Sequence, residues 1–365
     1  MKKTILSLLF SLTIMMVFSQ GYYSVYGKVI SNSSKLPLQG ASVFAQNTTL
    51  GTATDAEGNF KLNLPNGGYE LAITFTGYNT EIKRINSADA NDKTVIYELS
   101  ERERQMEGVA VVATSEVKDG WNKYGDFFLE KFIGKTQNSA LCTIKNKEAL
   151  KFYFSRKRNR LKVLATETLE IENAALGYKI KYNLDSFTHE YNTQVSLYTG
   201  YPLFEEMITE DSAQKAKWET ARVDAYLGSM LHFMRSLYDK TLKEQGFEIQ
   251  FLADVNGKET ALPLKDYYAA LHYMEDDSTQ LVQITPAQAK LGIIYLDEKP
   301  TSAYMEKYPE EPADFQFSTL SFLPNGSMGI EQNGYYFDQN DIVVSAYWTW
   351  ERIADQLPYN YLPAD

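Results

Sequence analysis

The sequence predicts a mixed fold: an N-terminal all-β sandwich followed by an α+β domain with one long central helix. Three observations carry this. Over residues 22–100, short apolar runs alternate with turn residues at the spacing of a small sandwich. Over residues 211–246, Val223, Leu227, Met230, Met234 and Leu237 recur at helical spacing and define one buried stripe. Strand-like alternation occurs both before and after that stretch, which places sheet on both sides of the helix in the chain.

A length of 365 residues accommodates two or three domains, and 44% hydrophobic with 23% charged residues is the composition of a folded chain. The formal charge of −11 becomes more negative once Lys2 and Lys3 leave with a leader, so phosphate backbones are repelled and general nucleic-acid binding is excluded. Cys142 stands alone, which rules out an intrachain disulfide and a cysteine-built metal site, and it is expected in the interior.

Lys2 and Lys3 precede an apolar run from Ile5 to Phe18, and Val17 and Ser19 suit the positions before a cleavage at Gln20. Residues 1–19 therefore read as a secretory signal. The run is shorter than the roughly 20 residues a spanning helix needs, and no later segment reaches that length, so no transmembrane span is expected after signal removal.

From residue 20 to 100 the runs YSVYGKVIS, ASVFAQ, NFKLNLP, YELAITFTGY and TVIYEL are strands. In the turn at residues 54–58, Asp55 is placed to accept backbone N–H groups and Gly58 to take positive φ. Residues 101–117 form a charged linker with a short apolar strand at 107–112. In residues 118–365, a short helix over 120–134 turns Phe127, Phe128, Phe132 and Ile133 inward. Strands flank a hairpin at Arg156 to Asn159, and Asn256-Gly257 marks a second hairpin. Within 211–246, Asp211 or Ser212 caps the start and Gly246 the end, while His232, Arg235, Ser236 and Asp239 turn the opposite side polar.

Several ordered motifs carry a resemblance. Gly27-Lys28-Val29, the PLQGASV run at 37–43, TDAEGNF at 54–60 and Gly77-Tyr78 resemble the carboxypeptidase-like regulatory domain. That resemblance implies a transthyretin-like sandwich without catalytic residues of its own. The segments GWNKYGDFFLEKFIG, YTGYPLFEEM and YWTWERIADQLP are similar to the larger half of bacterial carboxypeptidase-like regulatory domain-containing proteins, which brings no assigned active site to this chain. Some relatives of the sandwich head outer-membrane receptors. A 22-strand barrel, at about 9 to 11 residues per strand plus loops and plug, needs more chain than remains beyond the linker.

The chain is poor in residues that carry chemistry. His189, His232 and His272 are the three histidines. His272 and Glu275 match H-x-x-E, but no later histidine supplies a third zinc ligand, so His272 reads as a surface or capping residue. No nucleophile elbow, phosphate loop or dinucleotide fingerprint occurs. The pairs Glu205-Glu206 and Asp276-Asp277 suit a solvated surface as well as an acid/base site. The basic run Arg156, Lys157, Arg158, Arg160 and Lys162 is a candidate contact for an anionic surface, set against the ordinary reading of a solvated hairpin tip.

The resulting expectation is a non-catalytic cell-envelope protein, exported to the periplasm or associated with the outer membrane. It uses the sandwich for docking and the α+β half to bind an envelope protein or glycan partner, without cofactor or metal. The alternative is an envelope hydrolase acting on peptide or glycan. Paired carboxylates in a cleft would favour that alternative, and an aromatic groove without convergent polar groups would favour binding.

Overall fold

The computed structural model describes residues 21–87, 94–102, 116–276, 279–323, 326–337 and 342–363. The expected leader and the apolar strand of the linker lie outside the described residues. Strand accounts for 42% of the described residues and helix for 19%, so sheets set the architecture.

The N-terminal unit consists of two facing sheets. β1 (Tyr22–Ser31), β2 (Ser42–Ala45), β3 (Gly51–Ala53), β4 (Asn59–Pro65), β5 (Tyr69–Thr74), β6 (Glu81–Ile85) and β7 (Val95–Leu99) divide into the orders β4-β1-β7 and β3-β2-β5-β6. β1 pairs antiparallel with β4 and parallel with β7. Alternation along β1 and β4 sends Val29 and Leu64 inward, where they meet Val43, Leu71 and Ile73 with no exposed surface. The turn into β4 follows the expected chemistry: Asp55 Oδ1 accepts from the N–H groups of Glu57 and Asn59. Gly58 sits at φ +80°, where a Cβ would lie 2.5 Å from the Val29 carbonyl oxygen.

The larger half opens with α1 (Gly120–Phe132), which lies on an antiparallel sheet. β8 (Cys142–Ile144), β9 (Leu150–Ser155), β10 (Arg160–Ala165), β11 (Leu169–Asn173), β12 (Tyr178–Glu190) and β13 (Val195–Glu206) run in the order β8-β11-β12-β10-β9, with β13 on β12. Phe128 packs edge-on against Phe187 at 5.1 Å and Phe132 edge-on against Tyr182 at 5.1 Å, fixing helix to sheet. Phe128, Phe132 and Ile133 are buried as the pattern predicts, whereas Phe127 remains half-buried. Cys142 is in this core.

The expected single central helix is instead two. α2 (Ser212–Tyr226) ends at Leu227, and α3 (Met230–Tyr238) restarts after Gly228 and Ser229. Gly228 has φ +70°, and a Cβ there would lie 2.5 Å from Gln316 Oε1 and 2.7 Å from the Tyr295 ring. Ser229 caps the new helix by accepting the His232 N–H. The physical reason is that there are two cores. Ala225 and Tyr226 join the core beneath the first sheet, while Phe233, Met234 and Leu237 join that of a second sheet. A straight cylinder would aim both segments along one stripe; the break lets each face its own sheet.

The same packing buries part of the face that the sequence predicts to be polar. His232, Arg235 and Ser236, expected on a polar face, are buried. The His232 Nδ1 accepts from the Gly228 N–H, so its Nε2 carries the proton and donates to Gln245 Oε1 at 3.0 Å. Asp211 caps α2 by accepting from Ala213 and Gln214, and Gly246 adopts the left-handed conformation, as expected.

The second sheet has the order β15-β14-β18-β19-β21, built from β14 (Phe247–Val255), β15 (Lys258–Pro263), β18 (Lys290–Tyr295), β19 (Gln316–Phe322) and β21 (Ile342–Ala346). Asn256 and Gly257, both at positive φ, make the β14-β15 hairpin. The strands β16 (Met274–Asp276), β17 (Leu281–Ile284) and β20 (Met328–Ile330) form a small third sheet, and α4 (Tyr267–Ala270) and α5 (Ser302–Lys307) are short connectors. Among the described residues no helix is long and apolar enough to cross a membrane.

The chain then returns. After β21 it runs through the 3-10 turns Tyr347–Thr349 and Ile353–Asp355, and buries Ile353, Ala354 and Leu357 in the core of the first sheet. It finally reaches the sandwich, where the Tyr359 N–H donates to the Asn47 carbonyl and the Asn360 amide meets Thr49. The sandwich loop is also tied to β13: the Asn47 N–H donates to the Pro202 carbonyl and the Phe204 N–H to that of Thr48. On the other side Arg84 pairs with buried Glu331 at 2.9 Å and lies over the Phe337 ring.

Candidate functional site

Where sandwich, first sheet and returning strap meet, the chain encloses a cleft of about 550 Å³. The volume suits a small ligand. The sandwich supplies Gln46, Asn47 and Glu70. β12 and β13 supply Tyr182, Tyr198 and Tyr201, and the helix break supplies Ser229 and Met230. Trp348, Glu351, Arg352, Asp355 and Tyr359 come from the strap. A β-bulge shapes the rim. The β12-β13 register shifts between Leu184 and Ser186, leaving Asp185 as the extra residue opposite Gly200 and Thr199. Asp185 hydrogen-bonds Tyr201, whose hydroxyl burial pushes up to about 12.

Most polar groups of the cleft are already engaged. Gln46 Nε2 donates to the Glu70 carboxylate, which also bonds the Tyr335 hydroxyl. Arg352 donates through Nη1 to the Lys131 carbonyl at 2.8 Å and bonds the Tyr198 hydroxyl. Asp355 accepts from Thr136 Oγ1 at 2.8 Å and from Asn138 Nδ2 at 2.9 Å, although burial raises its carboxyl above the ordinary range. Gln356 Nε2 donates to Asn47 Oδ1 at 2.9 Å.

Glu351 differs. Half-buried and lining the cleft, it has no hydrogen-bond donor among the described residues. Desolvation, with the charges of Asp355 and Glu298 added, holds its carboxyl well above the usual range. Glu298 is itself raised by burial and accepts from Gln316 Nε2.

The sequence-predicted basic run lies elsewhere. Arg156, Lys157 and Arg158 form the exposed β9-β10 tip, Arg160 pairs with Glu190, and Lys162 is half-buried on β10. The structure thus keeps the tip basic while neutralising one of its five charges. His272 is exposed at a left-handed backbone position, and Glu275 pairs with Lys240 at 3.3 Å. His189 and His232 are buried apart from it, and no group of three metal-ligating side chains occurs among the described residues. Glu205 and Glu206 pair with Lys181 and Arg222. Asp277 lies outside the described residues.

Glu351 and Asp355 were not singled out from the sequence. Their signal was available: two acids four apart in YWTWERIADQLP, directly after Trp348 and Trp350. What the sequence withheld was that this segment crosses to the sandwich.

Comparison with known proteins bears on the N-terminal unit alone. Residues 25–111 match the family model of the CarboxypepD_reg-like domain, which the sandwich described above embodies. No curated protein matches the chain. Among solved structures, a 9R-lipoxygenase from Cyanothece PCC8801 is 9% identical over 64% of this chain and 50% of that one, with a TM-score of 0.17. This chain thus spans half the length of that lipoxygenase. BcpA, the major pilin subunit of Bacillus cereus, is 11% identical over 88% of this chain and 97% of that one, with a TM-score of 0.16. Scores this low carry no argument about fold or function.

Proposed function

We propose that this is an exported, non-catalytic cell-envelope protein that binds a ligand or partner in the cleft between its CarboxypepD_reg-like sandwich and its larger half. One observation supports this most: an aromatic-walled cleft of about 550 Å³ most of whose polar groups are committed to holding the fold together, with Glu351 left unpaired among the described residues. Export rests on the leader pattern at residues 1–19. The exposed tip at Arg156, Lys157 and Arg158, with Arg160 and Lys162 behind it, is a candidate contact with an anionic envelope surface.

Cell fractionation and titration of the purified mature protein with soluble peptidoglycan fragments and envelope oligosaccharides test this reading. Recovery from the envelope together with saturable binding and no turnover is the expected result. Cytoplasmic recovery, or absence of binding to every fragment, overturns it.

A second reading, an envelope hydrolase, draws on Glu351 and Asp355 sharing the cleft, since glycosidases work with two carboxyl groups held in different protonation states. Against it, the Asp355 carboxylate already accepts from Thr136 and Asn138. Release of reducing ends from the same oligosaccharides, lost in Glu351→Gln, would establish the hydrolase instead.

A further inference from the structure

The nature of the ligand follows from the cleft's unbalanced charge, on the reading that the cleft is a binding site. We propose that it takes a small organic cation, with Glu351 as the counter-ion of an ammonium group and the surrounding tyrosine and tryptophan rings as its walls. Three observations converge on that class.

The first is charge. Glu70, Glu351 and Asp355 line the cavity against Arg352, the one cation among its described lining residues, and Arg352 is turned to the Lys131 carbonyl and the Tyr198 hydroxyl. The groups whose charges act on Glu351 are Asp355 on the same strap and Glu298 from the connection after β18, both anionic. Glu351 in turn acts on the Tyr347 hydroxyl. None of these offers it a positive partner.

The second is the wall. Tyr182, Tyr198, Tyr201, Tyr336, Trp348 and Tyr359 line the cavity. Aromatic rings attract cations most strongly where water is excluded, and ammonium recognition pairs such rings with a carboxylate. The third is the field of the whole protein, since a formal charge of −11 raises the local concentration of cations at an acidic cleft. A neutral polyol would draw no charge-assisted contact from Glu351, and an anion would be repelled by an acidic lining.

A carboxyl that holds its proton more tightly in the free protein gives it up on pairing with an ammonium, so binding and proton release are linked. The affinity should therefore rise with pH until Glu351 is ionised in the free protein, and fall only when the amine itself deprotonates near pH 10.

Isothermal titration calorimetry of the full mature chain with 1,5-diaminopentane, 1,5-pentanediol and glutarate tests the proposal. The diamine is expected to bind at least tenfold more tightly than the diol and glutarate not at all. Titrations in buffers of different ionisation enthalpy should show protons released on diamine binding, in decreasing number as the pH rises. Glu351→Gln should weaken diamine binding at least tenfold and abolish the proton release, with thermal denaturation confirming that the variant is folded. Equal affinity for diol and diamine, diamine binding unaffected by Glu351→Gln, or absence of diamine binding overturns the cationic class. The oligosaccharide and peptidoglycan titrations decide separately whether the cleft binds anything. Saturable binding of a neutral fragment there would keep the cleft as a site and discard the amine.

Discussion

The backbone N–H of Tyr359 donates to the carbonyl of Asn47 at 2.7 Å, joining the end of the chain to a loop of the N-terminal sandwich. Asn47 is held from other sides as well. Its own N–H reaches Pro202, and its side-chain oxygen accepts from Gln356. It is buried and sits at φ +56°. This one left-handed residue thus ties the sandwich loop both to β13 and to the returning strap.

Replacing Asn47 separates the two demands on it. Asn47→Gly keeps the backbone conformation and loses the side-chain bond to Gln356, which should cost about 1 to 2 kcal/mol. Asn47→Ala adds left-handed strain of roughly 1 to 2 kcal/mol. Urea denaturation should therefore rank wild type above Gly above Ala. A glycine variant no more stable than alanine would show that backbone strain is not part of the clasp.

The break between the helices makes an equally sharp demand. At Gly228, alanine would meet positive φ together with Gln316 Oε1 and the Tyr295 ring, so Gly228→Ala should destabilise by about 2 to 4 kcal/mol. Ser229→Ala removes the cap on α3 and should cost about 1 kcal/mol. If Gly228→Ala proved as stable as wild type, a continuous helix would be compatible with both cores, and the account of the break would fail.

These residues also show how far the sequence could be read. The sandwich was legible because its turns are chemically explicit: Asp55 and Gly58 perform the roles their residue types suggest. The helix break was legible in principle, since glycine followed by serine is a stop followed by a cap. It was overridden by a hydrophobic stripe that continues through both segments. The stripe is real, but half of it serves one core and half the other, a distinction that depends on which sheet lies opposite. The cleft was illegible for the same reason. Glu70, Tyr201 and Glu351 lie far apart in sequence, and their meeting depends on the strap crossing to the sandwich.

Acid should loosen α1. Glu130 is partly buried, which alone would raise its carboxyl, but Lys135 and Lys307, with Lys131 close by, hold it at about 2. A depressed carboxylate contributes stability that is present above its unfolded value of 4.5 and lost as pH falls through 2. With solvent screening discounted, Glu130→Gln should cost about 1 kcal/mol at pH 7, and the cost should vanish near pH 2. A cost that persists unchanged at low pH would mean the side chain matters through packing instead of charge.

Glu351 carries the opposite sign. Its carboxyl is raised in the fold by desolvation and by Asp355 and Glu298, so the folded state holds a proton that the unfolded chain releases near 4.5. The neutral form's contribution is complete below pH 4.5 and is lost as pH rises through the folded value. Glutamine has the shape of the protonated acid and never ionises. Glu351→Gln should therefore match wild type at pH 4 and exceed it by about 1 to 3 kcal/mol at pH 8, the cost of a desolvated charge without a partner. Asp355→Asn is the internal control. Asp355 is also raised, but its oxygens accept from Thr136 and Asn138, so the amide loses acceptors and should destabilise at neutral pH. Denaturant titrations at pH 4, 6 and 8 read both variants. A Glu351→Gln difference that is the same at all three pH values would mean the carboxyl is solvated in the fold, and the cleft would lose its unpaired acid.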